Sequence, residues 1–267
     1  MEWDIGYLVL GSVSGFLAGM FGVGGGVVLV PVLLFLFDAQ HFPAEHLLHL
    51  ALGTSMANIL FTSISSMRKH HQHGAVIWRV VGNITPGILI GTGFGALLAT
   101  SIPTRGLAIF FTLFVYFAAT QILLDIRPHA SRQLPGAAGI TLTGILIGCV
   151  SSLVSIGGGI FVVPFLFWCN ISIRNAIGTS AAVGFPIAVG GTIGYIFAGM
   201  NITSLPAHSL GFVYLPALFW LALASIITAP LGAKAAHHMN IALLRKLFAL
   251  LLLVLATKML MKVIAGS

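Results

Sequence analysis

Two stretches decide the fold: Gly15-Phe-Leu-Ala-Gly-Met-Phe-Gly-Val-Gly-Gly-Gly-Val-Val-Leu-Val-Pro31, and Gly148-Cys-Val-Ser-Ser-Leu-Val-Ser-Ile-Gly-Gly-Gly-Ile-Phe-Val-Val-Pro164. They superpose at a constant offset of 133 residues, with three consecutive glycines and the downstream proline coinciding. Each lies inside an uncharged apolar segment of 33 residues, 5–37 and 136–168. As a straight helix such a segment would be about 50 Å long, against roughly 30 Å of bilayer hydrocarbon. Each glycine is worse than alanine in a helix by about 1 kcal/mol, so three in a row predict a break in mid-segment.

The rest of the chain repeats the pattern. Further apolar segments run over 47–67, 76–100, 107–126, 175–199, 209–236 and 243–264, joined by short polar links. Ala51-Leu-Gly-Thr-Ser55 matches Ala176-Ile-Gly-Thr-Ser180, and Ala119-Thr-Gln-Ile-Leu123 resembles Ala256-Thr-Lys-Met-Leu260. The chain therefore reads as one membrane domain over 1–267 built from two repeats, 5–126 and 136–264, with four apolar segments in each. Internal duplication of this kind is the signature of many transporter folds.

Composition agrees with that placement. Only 17 of 267 residues are charged, 58% are hydrophobic, and mean hydropathy is +1.08. A soluble domain carries about 25% charge. Seventeen charges cannot cover a 28.0 kDa globule in water, so most of the surface must face lipid. The uncharged runs do not alternate as barrel strands would. The expectation is an all-α, polytopic membrane bundle without a cleavable signal peptide, since Met1-Glu-Trp-Asp4 lacks a positive leader.

Net charge is +7, but the 12 Lys and Arg are scattered singly between apolar segments and read as orientation signals, not as a nucleic-acid surface. Suppose each 33-residue segment enters and returns at its glycine run. Then Arg68, Lys69, Arg79, Arg127, Arg132, Arg174, Lys234, Arg245 and Lys246 share one side, against Arg105, Lys258 and Lys262. Such a bias is what the positive-inside rule expects. Each half then crosses three times, which makes the repeats inverted and places both termini outside. If every segment crosses, the bias nearly vanishes.

The broken glycine runs admit two readings. Successive glycine N–H groups, followed by the positive end of a half-helix, form a nest for a small oxyanion. Alternatively the glycines permit close helix packing. Unpaired backbone at this depth is tolerated only where protein or a watery cavity surrounds it. Hydroxyls recur beside the runs, in Gly53-Thr54-Ser55 with Asn58 and in Gly178-Thr179-Ser180. Each can back-bond to its own helix or complete an anion site.

Acidic residues are restricted to Glu2, Asp4, Asp38, Glu45 and Asp125, and Asp125 reads as a boundary partner of Arg127. No carboxylate is expected in mid-membrane for a proton relay, and no carboxylate pair for hydrolysis. Cys149 and Cys169 form no CxxC pattern and read as small core residues. The ten histidines fall in or beside links. His46 and His49, or His70-His-Gln-His73, could bind a transition metal, but interfacial histidine is the favoured reading and no cofactor or metal is expected. A Gly-rich dinucleotide loop is excluded by the lack of a strand–helix context.

The duplicated Gly-Gly-Gly segments with Pro31 and Pro164, followed by the Gly-Thr-Ser elements, resemble the sulfite exporter (TauE/SafE-type) permeases over the whole chain. The resemblance implies transport, without ATP, of sulfur oxyanions or organosulfonates such as sulfite across the cytoplasmic membrane. It implies a substrate site of Gly24, Gly25, Gly26, Thr54 and Ser55 with Gly157, Gly158, Gly159, Thr179 and Ser180, to which the residue reading adds Asn58. Ser155 stands where the first half has Gly22, and Val183 where it has Asn58, so the half-sites are chemically unequal. The expected function is a secondary transporter for a small anion, not an enzyme. An anion channel and a His-based intramembrane metal or enzyme protein are the alternatives.

Overall fold

The computed structural model describes residues 2–22, 24–124, 131–238 and 241–264. They form the helices α1 (Glu2–Phe21), α2 (Gly26–Ala39), α3 (Leu47–Gln72), α4 (Trp78–Ser101) and α5 (Thr104–Leu123). The chain continues through α6 (Ala137–Val154), α7 (Gly159–Trp168), α8 (Ile173–Gly199), α9 (Leu215–His238) and α10 (Ile241–Ile264). The two-residue strands β1 (Ser209–Leu210) and β2 (Val213–Tyr214) pair as an antiparallel turn before α9, where an apolar segment from 209 was expected. Seven of the helices are long and apolar enough to span a bilayer, and α2 and α7 are shorter apolar helices. Large hydrophobic side chains such as Phe94, Phe117, Leu146, Phe197 and Ile227 are exposed on the outer helix faces, as lipid contact requires. The protein is an all-α polytopic membrane protein.

Both 33-residue segments break at their glycines and double back. The Gln40 Nε2–H donates to the Tyr7 hydroxyl at 2.6 Å, tying the end of α2 to the start of α1. In the second half the Ser131 and Arg132 N–H groups donate to the Trp168 carbonyl at 3.2 and 3.1 Å, bringing the end of α7 back to the approach to α6. Each segment is therefore a helical hairpin, with the glycine run at its bend.

Small residues let the helices meet backbone to backbone. Along α1, Gly11, Gly15 and Gly19 face Leu221, Ser225 and Ala229 of α9 in ascending order; Cβ atoms at Gly11 and Gly15 would lie 2.6 Å from α9 backbone. These two helices run in the same direction. The matching pair, α4 and α6, also runs together: Gly144 faces Ile84 and Gly148 faces Ile88, each at 2.6 Å. Helix α3 runs with α9, since Thr54 meets Tyr214 and Ser65 meets Ile226. Helix α8 runs with α4, Gly190 facing Thr92 and Gly194 facing Ala96. Between them α3 and α8 run in opposite directions, because Met56, Ser63 and Ala75 face Gly191, Gly184 and Gly178 in that order.

Helix α3 continues five residues past the expected end at 67, which carries His70 into the bundle, where it is fully buried instead of interfacial. Asp125 and Arg127 lie outside the described residues. Among the described residues, no three His, Cys, Asp or Glu side chains gather as a metal site. Cys169 is buried, Cys149 half-buried, and neither is paired.

Candidate functional site

The bends of the two hairpins meet at the centre of the bundle. A Cβ at Gly24 would lie 2.7 Å from Gly157 Cα, and one at Gly26 would collide with the Ser155 carbonyl oxygen. Four turn residues adopt matching left-handed backbone: Gly22 (φ 68°) with Ser155 (φ 50°), and Gly25 (φ 77°) with Gly158 (φ 88°). Ser155 thus takes the conformation of its glycine counterpart, at a cost of about 1–2 kcal/mol for a residue with a Cβ. Among the described residues, only at Gly24 (φ 78°) does the first turn use a left-handed residue without a left-handed match in the second.

Gly25 and Gly158 are the N-cap residues of α2 and α7, so both half-helices begin here, their N-terminal ends close together. The N–H groups of Gly24, Gly25, Gly26, Gly157, Gly158 and Gly159 donate to no acceptor among the described residues. Six N–H donors without a described acceptor and two partial positive helix ends therefore lie together in a buried region. The described carboxylates Asp4, Asp38 and Glu45 lie in the first turn of α1, at the end of α2 and in the link before α3, and Asp38 pairs with Lys262 at 2.7 Å.

The expected side-chain contributors divide into two groups. Ser55 and Ser180 face the turns: the Ser180 hydroxyl donates to the Gly22 carbonyl at 3.2 Å, and Ser55 Oγ would be 3.1 Å from a Cβ on Gly26. Ser55 Oγ is fully buried and finds no hydrogen-bond partner among the described residues. Asn58 Oδ1 accepts from the Ser225 hydroxyl at 3.1 Å while its Nδ2 is left without a partner there. Thr54 and Thr179 are occupied otherwise. Thr54 Oγ1 accepts the Tyr214 N–H and Thr179 Oγ1 accepts the Ile77 N–H, both at 3.0 Å, so each fixes the chain entering a helix of the opposite half.

Two polar residues here, Ser14 and Ser151, were not singled out from the sequence. Both are fully buried, as is Ser155, and the Ser151 and Ser155 hydroxyls lack partners among the described residues. Ser225 was missed as the partner of Asn58. A cavity of about 10 Å³, on the scale of a single water molecule, lies against the bends; it is lined by residues that include Gly22, Gly24, Gly157, Thr62, Ser63 and Ser66.

A model of the family described as Sulfite exporter TauE/SafE matches residues 7–259. The chain belongs to this family. A probable membrane transporter protein of Haemophilus influenzae is 37% identical over 257 residues, covering 96% of this chain and 97% of that relative. Probable membrane transporter protein MJ0441 of Methanocaldococcus jannaschii is 29% identical, with 85% and 84% of the two chains covered. Probable membrane transporter protein YdhB of Bacillus subtilis is 32% identical over 69% of this chain and 76% of its own. No solved structure matches. As a TauE/SafE member with seven candidate spans, the protein is a multi-pass membrane transporter with a small-molecule substrate, not an enzyme.

Proposed function

We propose that this transporter moves a small anion, a sulfur oxyanion or organosulfonate such as sulfite, across the cytoplasmic membrane by alternating access. The observation that carries this reading is the meeting of two half-helix N-termini, with glycine N–H groups unengaged among the described residues, in a centre without a described carboxylate. Such a site favours negative charge and supplies donors without a formal cation. Ser55 and Asn58 would add side-chain donors, and Ser180 would do so on turning its hydroxyl away from the Gly22 carbonyl, whereas Thr54 and Thr179 would brace the helices around them.

The two halves are read as inverted repeats. In support, α1, α3 and α9 share one direction and α4, α6 and α8 the other, so α1, α3 and α4 of the first repeat each run opposite to their matches α6, α8 and α9 in the second. The His46–Ser204 hydrogen bond, 3.2 Å, sets the 199–209 link beside the start of α3, while Gln72 ends that helix on the basic side. Alternating access would follow from rocking one half against the other around the shared centre.

Sulfite, thiosulfate, sulfoacetate and sulfate titrated into the purified protein test the substrate class. Saturable binding of a sulfur anion is expected; binding of none of them, alongside tight binding of a divalent metal, would overturn it. In proteoliposomes the flux should saturate and be accelerated by sulfite on the opposite side. Flux linear in concentration and indifferent to that countersubstrate would identify a channel.

A further inference from the structure

Helix α3 carries a polar face that α8 lacks. From the glycine centre toward the C-terminal end of α3, Asn58, Thr62, Ser66 and His70 recur every four residues on one side, with Ser63 beside them. All five are buried, Ser66 to within 2% and His70 completely. At the matched positions, offset by 125 residues, α8 has Val183, Ile187, Gly191 and Tyr195, with Ala188 opposite Ser63. The two helices run oppositely, so these faces lead from the centre to opposite ends of the bundle. One is polar, the other apolar.

The cavity follows the same division. It reaches Thr62, Ser63 and Ser66 but none of Ile187, Ala188 and Gly191. The cause lies one position across the contact. Met56 packs against Gly191, its sulfur 2.9 Å from where a Cβ would sit; the residue matching Met56 in the second half is Ala181, which lines the cavity near Ser66. A methionine fills on one side what an alanine leaves open on the other.

Within this space the hydroxyls differ. Thr62 donates to the Asn58 and Ile59 carbonyls and Ser63 to the Leu60 carbonyl, so both are turned back on their own helix. Ser66 lines the cavity, and its Oγ has no partner among the described residues. One turn further, His70 Nε2–H donates to the Gly19 carbonyl at 3.1 Å, where its match Tyr195 donates to the Ser152 carbonyl at 2.9 Å. Past His70 the helix ends among cations. Arg68 and Lys69 are on its last turns, and the Arg174 guanidinium donates to the His73 carbonyl at 2.8 Å.

We propose that Ser66 is a further anion contact, set in a polar half-path that joins the glycine centre to the basic side of the protein along α3 only. The hydroxyl would donate to an anion between the glycine N–H groups and the basic mouth, while the α8 side is closed by Met56 and an apolar wall. This inference rests on the anion-transport reading for the ligand, but not for the path.

Two measurements on the full-length protein, with Cys149→Ala and Cys169→Ala as background, test it separately. The first is labelling by the anionic, membrane-impermeant reagent sulfonatoethyl methanethiosulfonate from each side of sealed vesicles. Ser63→Cys and Ser66→Cys should react from the side bearing Arg68 and Lys69, and Ala188→Cys from neither. Reaction of Ala188→Cys at a similar rate, or silence at both serine positions in folded protein, would overturn the one-sided path. The second is sulfite affinity of Ser66→Ala, expected to weaken about tenfold or more with an unchanged melting temperature. Unchanged affinity would remove Ser66 from the route. Should wild-type protein bind no sulfur anion, the substrate reading falls, while labelling still decides the path.

Discussion

The two glycine bends share backbone geometry and differ in what surrounds it. Gly25 and Gly158 both take left-handed conformations at the start of a half-helix. A Cβ on Gly25 would press on the Ser14 carbonyl oxygen at 2.7 Å, which is backbone; on Gly158 it would meet the Ile187 Cδ1 at 2.8 Å, the tip of a flexible side chain. The first bend also spends a third left-handed glycine, Gly24, while the second tolerates Ser155; on the adjoining helices the first half carries Asn58 where the second carries Val183. The lesson is that the duplication preserved the turn while the halves diverged in rigidity and polarity. The first half is the constrained, polar one, and the second has room to adjust.

Substitutions can break that comparison. The largest effect is expected at Gly26→Ala, where the new methyl collides with the Ser155 carbonyl and forces the two bends apart. Transport should be abolished and the yield of folded protein should fall sharply; near-normal transport would show that the bends separate freely. Next, Gly25→Ala should lower the melting temperature more than Gly158→Ala does. Both incur a left-handed cost of about 1–2 kcal/mol, but only the first also pushes on backbone. Equal shifts would erase the claimed difference in rigidity.

Smaller effects sharpen the picture. Thr54→Val and Thr179→Val each leave one N–H, of Tyr214 or Ile77, without its acceptor, at a cost of about 1–3 kcal/mol. Both variants should be less stable yet retain sulfite affinity in the folded fraction. A selective loss of affinity at either threonine would return it to the anion site. Smallest is Ser155→Gly, which relieves a left-handed serine and should gain about 1 kcal/mol. A melting temperature that falls would mean that the Ser155 side chain contributes more than its backbone costs.

Much of this arrangement was legible in the sequence. Thirty-three apolar residues with glycines in the middle exceed a bilayer's thickness, so a break was dictated, and the hairpins obey it. The Gly-Thr-Ser elements were legible only by position. Neighbouring helical residues point about 100° apart, so Ser55 and Ser180 face the bends while Thr54 and Thr179 face the opposite half. A motif read as a block could not separate them. The polar face of α3 was visible as the four-residue spacing of Asn58, Thr62, Ser66 and His70, but the end expected at 67 cut it short. The close packing of Gly11, Gly15 and Gly19 against α9 depends on contacts between distant segments, which spacing within one helix does not specify.

The central claim is that the meeting half-helix ends bind an anion, and Gly158→Ala tests it most directly because its neighbour Ile187 can yield and leave the fold intact. Sulfite affinity and melting temperature should be measured together on the wild-type and variant proteins. The account predicts sulfite binding at least tenfold weaker, a ΔΔG of about 1.4 kcal/mol or more, with only a modest fall in melting temperature. Unchanged affinity beside a lowered melting temperature would contradict it, and would assign the glycine bends to helix packing alone.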